Sequence, residues 1–470
     1  MKVFVHELDE LNPVQAFACV RHLPYSLFLD SADAKHPGAK YSFIACMPFE
    51  TIESKNGVTT ITNAKEQLKL TTDPFAILKD RMKNWKGQSL LGVPAFQGGA
   101  AGYFGYDLAR GIEKLPVSAQ DDADVPDMAI GLYDQVLAFN HVNKKICIIT
   151  NAESEDDARI KQKHLMRFLN KYIPVAPHAP IDLPWEANFD AHDYKNNVRK
   201  VIDYIKAGDI FQANISQRFD ADLPQGFDPF AHYLRMREIN PAPFASYFHI
   251  GNGLVISSAS PERFLSVKDS KVKTSPIKGT RPHVEDPVLD KVYRAELENS
   301  EKERAENTMI VDLMRNDLSR VCVGDSIQVT HLCEIETFAS VHHLVSTIEG
   351  TLGDDKTPID ALRACFPGGS ISGAPKIRAM EIIEEIEPTR RGPYCGAMGY
   401  VGFDGQMDTS ILIRTLVYKN NSVSLQVGGG ITAISNPDEE YQETFYKAEA
   451  IFRSLEEYDN IETELLADIA

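Results

Sequence analysis

Four glutamates raise the first chemical question. Glu303 and Glu306 in "EKERAENTMIVDLMRND", and Glu440 and Glu443 in "NPDEEYQETFYKAEA", form two E-x-x-E pairs. At i,i+3 spacing both carboxylates of a pair share one helix face. Two such helices facing each other would offer four oxygen-bearing groups. That donor set suits Mg²⁺, which takes one or two carboxylates directly, keeps several waters and accepts substrate oxygens. Periodicity alone favours a plainer reading of Glu443. The apolar stripe of its helix is Tyr441, Phe445, Ala448, Phe452 and Leu455, and Glu443 lies opposite, on a solvated face.

Other residues could join such a site. "SPIKGTRP" puts Lys278 in a strand that runs into a turn. It could be a surface charge, an anion anchor, or a nucleophile if burial removes its proton. "SVHHLVSTIEG" carries His342 and His343, and strand alternation sends one imidazole inward and one outward. "FPGGSISGAPKIRAMEII" makes a glycine turn before a helix that starts near Pro375, which is either an anion site or mere helix entry. "LQVGGGIT" allows close backbone approach at Gly428, Gly429 and Gly430, or makes a wide turn. Arg414 in "ILIRTLVY" sits in an apolar strand and needs an anionic partner, structural or substrate.

The elements that must position these residues are partly legible. Four prolines in "YIPVAPHAPIDLPW" mark a linker or surface strap. Before it come strand-like runs, a hairpin with a turn at "HVNKK", and a helix in "SEDDARIKQKHLMRFLNKY". "FQGGAAGYFGYDLAR" lacks G-K-[ST] and G-x-G-x-x-G spacing, so close packing of small residues suits it better than a phosphate loop. After the linker, helices are expected at 191–207, with Gly208 ending the first, and at 289–315 and 376–386. "GAMGYVGFDGQMDTSILIRTLVYKNNSVSLQVGGGIT" reads as a three-strand meander. Asn436, Pro437 and Glu439 open the last helix as N-cap, N1 and N3. Strands and helices in separate groups predict an α+β fold.

Composition bounds the function. With 49 Lys and Arg against 67 Asp and Glu, the net charge of −18 argues against nucleic acid as a partner. No apolar run is long enough to span a membrane, and "MKVFVHELDELNP" has no apolar core of a signal peptide. The seven cysteines are scattered, with no C-x-x-C pair, which favours reduced thiols in a cytoplasmic protein.

Taken in order, "SASPERFL", "SPIKGTRP", "AENTMIVDLMRNDLSRV", "VHHLVSTIEG", "FPGGSISGAPK", "GPYCGAMGY", "SILIRT" and "GGGIT" resemble the chorismate-utilising enzymes. That family holds the anthranilate, aminodeoxychorismate, isochorismate and salicylate synthases. The resemblance implies a large two-lobed α+β fold, an antiparallel β-sandwich core with helices packed outside. It divides the chain into an N-terminal lobe at 1–172, a linker at 173–189 and a chorismate-binding catalytic domain at 190–460. "LFLDSA" and "GYFGYDL" are similar to landmarks of the family's N-terminal lobe, and some relatives bind tryptophan near the first.

Within the family, anthranilate synthases are expected to read P-I-A-G-T and aminodeoxychorismate synthases P-I-K-G-T; this chain has the second form. That implies amination of chorismate at C4 through a covalent Lys278 intermediate, in p-aminobenzoate and folate biosynthesis. Isochorismate and salicylate synthases carry a water-activating lysine where this chain has Gln212, which disfavours water as nucleophile. By resemblance, Glu306 and Glu443 would ligate Mg²⁺ directly, and Glu303 and Glu440 would hold its waters. Glu262 would protonate the leaving hydroxyl, and His343 would sit near the ring. Tyr394, Arg414 and the Gly428–Gly430 backbone would hold the enolpyruvyl carboxylate. Ser370, Gly373, Lys376, Thr280 and Asn214 would complete the pocket. No cysteine has the context of a glutamine amidotransferase nucleophile, so a separate glutamine amidotransferase subunit is the expected source of ammonia. Two alternatives stand beside this reading: an anthranilate synthase large subunit, and a non-catalytic regulatory subunit that kept the fold.

Overall fold

Two antiparallel sheets, each of twelve strands among the described residues, carry the fold. The computed structural model describes residues 1–456 except 34, 35, 37, 86, 88 and 338–340. The expected end of the catalytic domain, at 457–460, lies outside the described residues. Both sheets draw strands from either side of the Pro-rich segment. In the first, Ser26–Asp30 pairs with Phe244–Gly251; in the second, Gly99–Phe104 pairs with Ala397–Gly402. The Pro-rich segment is pinned near its middle, where the Ile181 N–H donates to the Leu455 carbonyl at 2.7 Å.

The sheets pack on each other through Leu27, Phe43, Val136 and Phe248 from one and Tyr103, Ala129 and Tyr400 from the other. Helices cover the outer faces. Pro13–Val20, Glu155–Leu169, Pro229–Ile239 and Pro437–Arg453 lie on the first sheet. Pro74–Lys83, Glu301–Ser319 and Pro358–Cys365 lie on the second. Central strands are therefore buried on both faces and read as continuous apolar runs rather than alternating ones. The glycine-rich stretch belongs to this core. A Cβ on Gly102 would lie 2.1 Å from the Ala129 carbonyl oxygen, so the glycine is there for close packing of backbones. All seven cysteines are buried free thiols.

The helices expected at 191–207 and 376–386 form as Ala191–Ala207 and Lys376–Ile386, and Gly208 ends the first in a left-handed conformation. Two expectations need correction. The helix expected at 289–315 is two helices, Pro287–Glu298 and Glu301–Ser319, because the Ser300 hydroxyl caps the second by accepting from the Glu303 N–H. The expected three-strand meander has four strands: Ala397–Gly402, Met407–Ile411, Thr415–Lys419 and Ser422–Ile431. The second and third lie in different sheets. The chain crosses between sheets at 412–414, where Arg414 takes a φ of 51°. The largely apolar stretch "ILIRTLVY" conceals that corner, because Ile411 and Leu412 before it and Thr415 and Leu416 after it are all buried.

Candidate active site

A cavity of about 490 Å³ collects most of the residues singled out by type and spacing. The strand Ile277–Pro282 supplies Lys278, opposite Leu344 on Val341–Thr351. The register slips between Lys278 and Thr280, and Gly279 between them has a φ of 78°. A Cβ at Gly279 would meet Leu297 Cδ1 at 2.7 Å, so the bulge requires glycine both for its backbone angle and for space. Lys278 Nζ donates to the Ser370 carbonyl oxygen at 3.0 Å.

Glu262 precedes the strand Arg263–Lys268 and is 5% exposed. Its Oε1 accepts from the Ser370 hydroxyl at 2.7 Å. Burial raises its pKa above the usual glutamate value, although the Ser370 donor and nearby Lys278 pull the other way. A carboxyl poised in that direction can hold and release a proton.

All four paired glutamates line this cavity. Glu443 therefore faces the cavity rather than bulk solvent alone, although its side chain stays 47% exposed at the cavity mouth. Its helix buries one stripe on the first sheet and presents Glu440 and Glu443 toward Gly429, whose added Cβ would lie 3.0 Å from Glu440 Oε2. Burial raises the pKa of Glu306, and Glu303 and Glu443 add to it against Lys278. Glu440 is also raised by burial, despite a 2.6 Å bond from the Ser435 hydroxyl. Glu443 moves down: burial pushes it up, but Lys447, Lys302 and Lys278 outweigh that. The Lys447 ammonium lies 2.6 Å from Glu443 Oε1. Glu306 Oε2 accepts from Gln212 Nε2 at 3.4 Å, while Oε1 is buried without a hydrogen-bond partner among the described residues. An orphaned carboxylate oxygen beside three further glutamates is a donor set that a hard cation fits. Among the described residues, no three His, Cys, Asp or Glu side chains are already converged on one point.

The cavity also holds a buried cationic side chain. Arg414 lines the cavity, and no described residue forms a hydrogen bond or ion pair with its guanidinium. Burial lowers its pKa from the usual arginine value, the direction expected for a charge taken partly out of water. Tyr394 and Asn214 line the cavity beside it. His343 Nδ1 is 2.9 Å from the Thr280 hydroxyl. Burial first, and Arg414 second, lower the His343 pKa to about 4, so the imidazole is neutral near pH 7. The expectation of one inward and one outward histidine fails, because Val341–Thr351 is covered on both faces. His342 is buried too, with Nε2 2.8 Å from Asp290 and Nδ1 2.9 Å from the Thr337 hydroxyl.

Three expected site residues lie off the cavity wall. Lys376 Nζ is engaged by Asp317 at 2.5 Å and by the Cys365 carbonyl, because the first turn of its helix faces Glu301–Ser319. Gly373 pairs with Ala213 alongside the strand Gln212–Asp222. Gly429 faces the carboxylates, whereas Gly428 and Gly430 reach the cavity. Three charged lining residues were missed, Arg281, Lys302 and Lys447. The i,i+4 spacing from Glu443 could have found Lys447; nothing in the sequence marks Lys302.

A larger cavity, about 680 Å³, lies beside "LFLDSA" and is lined by Leu29, Asp30, Ser31, Phe244 and the ion-paired Arg263 and Asp408. It shares Pro261 and Ile277 with the first but holds neither acidic pair nor Lys278. The smaller cavity is therefore the candidate for chemistry.

The family profile described as chorismate binding enzyme matches residues 25–453. Aminodeoxychorismate synthase component 1 of Salmonella typhimurium is 42% identical over 442 residues, covering 94% of this chain and 95% of the relative. Anthranilate synthase component 1 of Acetivibrio thermocellus is 37% identical, covering 96% and 94%. The crystal structure of anthranilate synthase component I from Streptococcus pneumoniae TIGR4 superposes with a TM-score of 0.79 at 34% identity, covering 89% of this chain and 93% of that one. No helix among the described residues is long and apolar enough to cross a membrane.

Proposed function

The chain belongs to the family of chorismate binding enzymes, and from that premise we propose that it aminates chorismate at C4 to give 4-amino-4-deoxychorismate. The observation that carries this reading is Lys278 in the cavity wall, anchored on the serine that also holds Glu262. Lys278 forms a bond to C2 while the ring double bonds shift and the C4–oxygen bond breaks. Glu262 gives its proton to the departing hydroxyl, which leaves as water. Ammonia then adds at C4 and gives up a proton that restores Glu262, the double bonds shift back, and the C2–nitrogen bond to Lys278 breaks. Arg414 faces the cavity with no partner among the described residues and takes one substrate carboxylate. Neutral His343, bonded to Thr280, packs at the ring.

Glu306 and Glu443 would hold Mg²⁺, with Glu303 and Glu440 behind them. When bound, the ion supplies positive charge for the second substrate carboxylate. The relatives' designation "component 1" supports a partner subunit. We assign that partner as a glutamine amidotransferase delivering ammonia, and the product to p-aminobenzoate and folate biosynthesis.

Anthranilate synthesis is the nearest competing reading, since relatives of that name are 37% identical. Lys278 separates the two: it has a role in C4 amination and none in addition of ammonia at C2. Incubating the protein with chorismate, ammonium and Mg²⁺ and identifying the product by mass and chromatography tests the assignment. The expected product retains the enolpyruvyl group. Anthranilate with pyruvate would overturn the reading, and no consumption at high ammonium would favour a non-catalytic subunit. Lys278→Ala should lower turnover by roughly 10³-fold or more. A full rate from that variant would remove the nucleophile role. Isothermal titration of Mg²⁺ should weaken in Glu306→Gln; an unchanged isotherm would remove that ligand.

A further inference from the structure

Arg391 is 4% exposed and lies behind the cavity wall, where its guanidinium makes four hydrogen bonds. Nε and Nη2 donate to the two oxygens of Glu387 at 2.8 and 2.7 Å. Nη1 donates to the Ile371 carbonyl at 3.0 Å, and Nη2 also to the Asn214 carbonyl at 2.7 Å. The guanidinium carbon lies 4.7 Å from the ring centre of Tyr106 and 5.6 Å from that of Tyr394. Glu387 Oε1 in turn accepts from the Ser216 N–H at 2.9 Å and from its hydroxyl at 2.7 Å.

This one ion pair therefore holds three separate pieces of the site. Asn214, Ile371 and Tyr394 all line the cavity, and they come from a strand, a turn and a loop that are far apart in sequence. Ile371 follows Ser370, the residue that anchors both Lys278 and Glu262. A buried ion pair is weak as a source of stability, since the cost of desolvating two charges offsets their attraction. What it supplies is direction. A rigid fork of five N–H donors can bind both oxygens of a carboxylate and two carbonyls at once, four bonds that the three donors of a lysine cannot make.

We propose that Arg391, oriented by Glu387, is a positioning residue that sets the Ser370 turn and so the placement of Lys278 and Glu262. The inference rests on the roles given to those two residues in C4 amination. Its test is a double-mutant cycle on turnover per folded enzyme, with the folded fraction and Tm measured for each variant. Arg391→Lys and Ser370→Ala should each lower kcat, Arg391→Lys by roughly 10²-fold, the scale of a misplacement near 1 Å. Combined, they should cost little more than the larger single effect, because both act on one turn. Glu387→Gln keeps an oxygen for Ser216 and withdraws one from Arg391; it should show the same coupling if Arg391→Lys folds poorly. Multiplying costs in the cycle, or a lower Tm with wild-type kcat per folded molecule, would overturn the proposal. Failure of the amination reading is seen separately, as a different product from the wild-type protein, and the coupling can still be measured on that product.

Discussion

Lys278 and Glu262 share one anchor. Lys278 Nζ donates to the Ser370 carbonyl oxygen at 3.0 Å, and the hydroxyl of the same serine donates to Glu262 Oε1 at 2.7 Å. The proposed nucleophile and the proposed acid are thus held in register by a single turn, Gly369–Ile371.

Replacing Ser370 with alanine removes a donor that stabilises the Glu262 carboxylate. Burial already raises the Glu262 pKa and the serine opposes it, so the substitution moves it further up. A group that must be protonated to act loses activity as pH rises through its pKa. The falling alkaline limb of kcat should therefore shift to higher pH in Ser370→Ala, with about tenfold lower kcat from lost orientation. A pH–rate profile that keeps its alkaline limb in place would exclude Glu262 as the titrating acid.

Arg414 carries an uncompensated charge against the cavity wall. Arg414→Met should raise the Tm of the ligand-free protein, because a stranded charge is removed from a site prepared for an anion. The same change should weaken chorismate binding roughly tenfold to hundredfold, the worth of charged hydrogen bonds. Calorimetric titration and thermal unfolding read the two effects. A variant that binds chorismate as well as the wild type would mean that the substrate carboxylate lies elsewhere.

His343 links stability to pH. Its folded pKa is lowered to about 4 by burial, below the ordinary histidine value of about 6.5. Between those values the unfolded chain binds more protons than the folded one, so stability is lost as pH falls through that window. His343→Gln should flatten the fall in Tm between about pH 6.5 and 4. Equal slopes for the two proteins would place the acid sensitivity in other groups.

Gly279→Ala puts a Cβ 2.7 Å from Leu297 Cδ1 at a left-handed backbone position. The cost should be about 1–3 kcal/mol of stability, read from denaturant unfolding. Turnover should fall as well, because the bulge sets the direction of Lys278. Unchanged stability and activity would show that the strand end adapts freely.

Much of the site was legible before any fold was known. The helix containing Glu440 and Glu443 announces itself through Asn436 and Pro437, and it forms as Pro437–Arg453 with the Asn436 side chain accepting from Asp438 N–H. The two E-x-x-E pairs, Lys278, Glu262, Ser370, Tyr394 and Arg414 all line one cavity. Caps and i,i+3 spacing marked the helices and the carboxylate pairs locally, whereas Glu262, Tyr394 and the inward role of Glu443 came only from the resemblance carried by motif order. Lys376 was misplaced. Its helix start reads the same whether the lysine faces a cavity or Asp317, and only the neighbouring helix decides.

The sequence by itself determined which residue types are available for chemistry, where helices begin, and which family the motif order resembles. The tertiary structure alone decided which faces are covered. It buried both His342 and His343, because Val341–Thr351 is packed on each side. It turned Glu443 toward the carboxylates of another helix, and it made "ILIRTLVY" a crossing between sheets that leaves Arg414 at a corner. It also gathered Asn214, Ile371 and Tyr394 around Arg391. Hydrophobic periodicity reports that a face is buried, but what covers it comes from chain segments hundreds of residues away, and no local pattern encodes that partner.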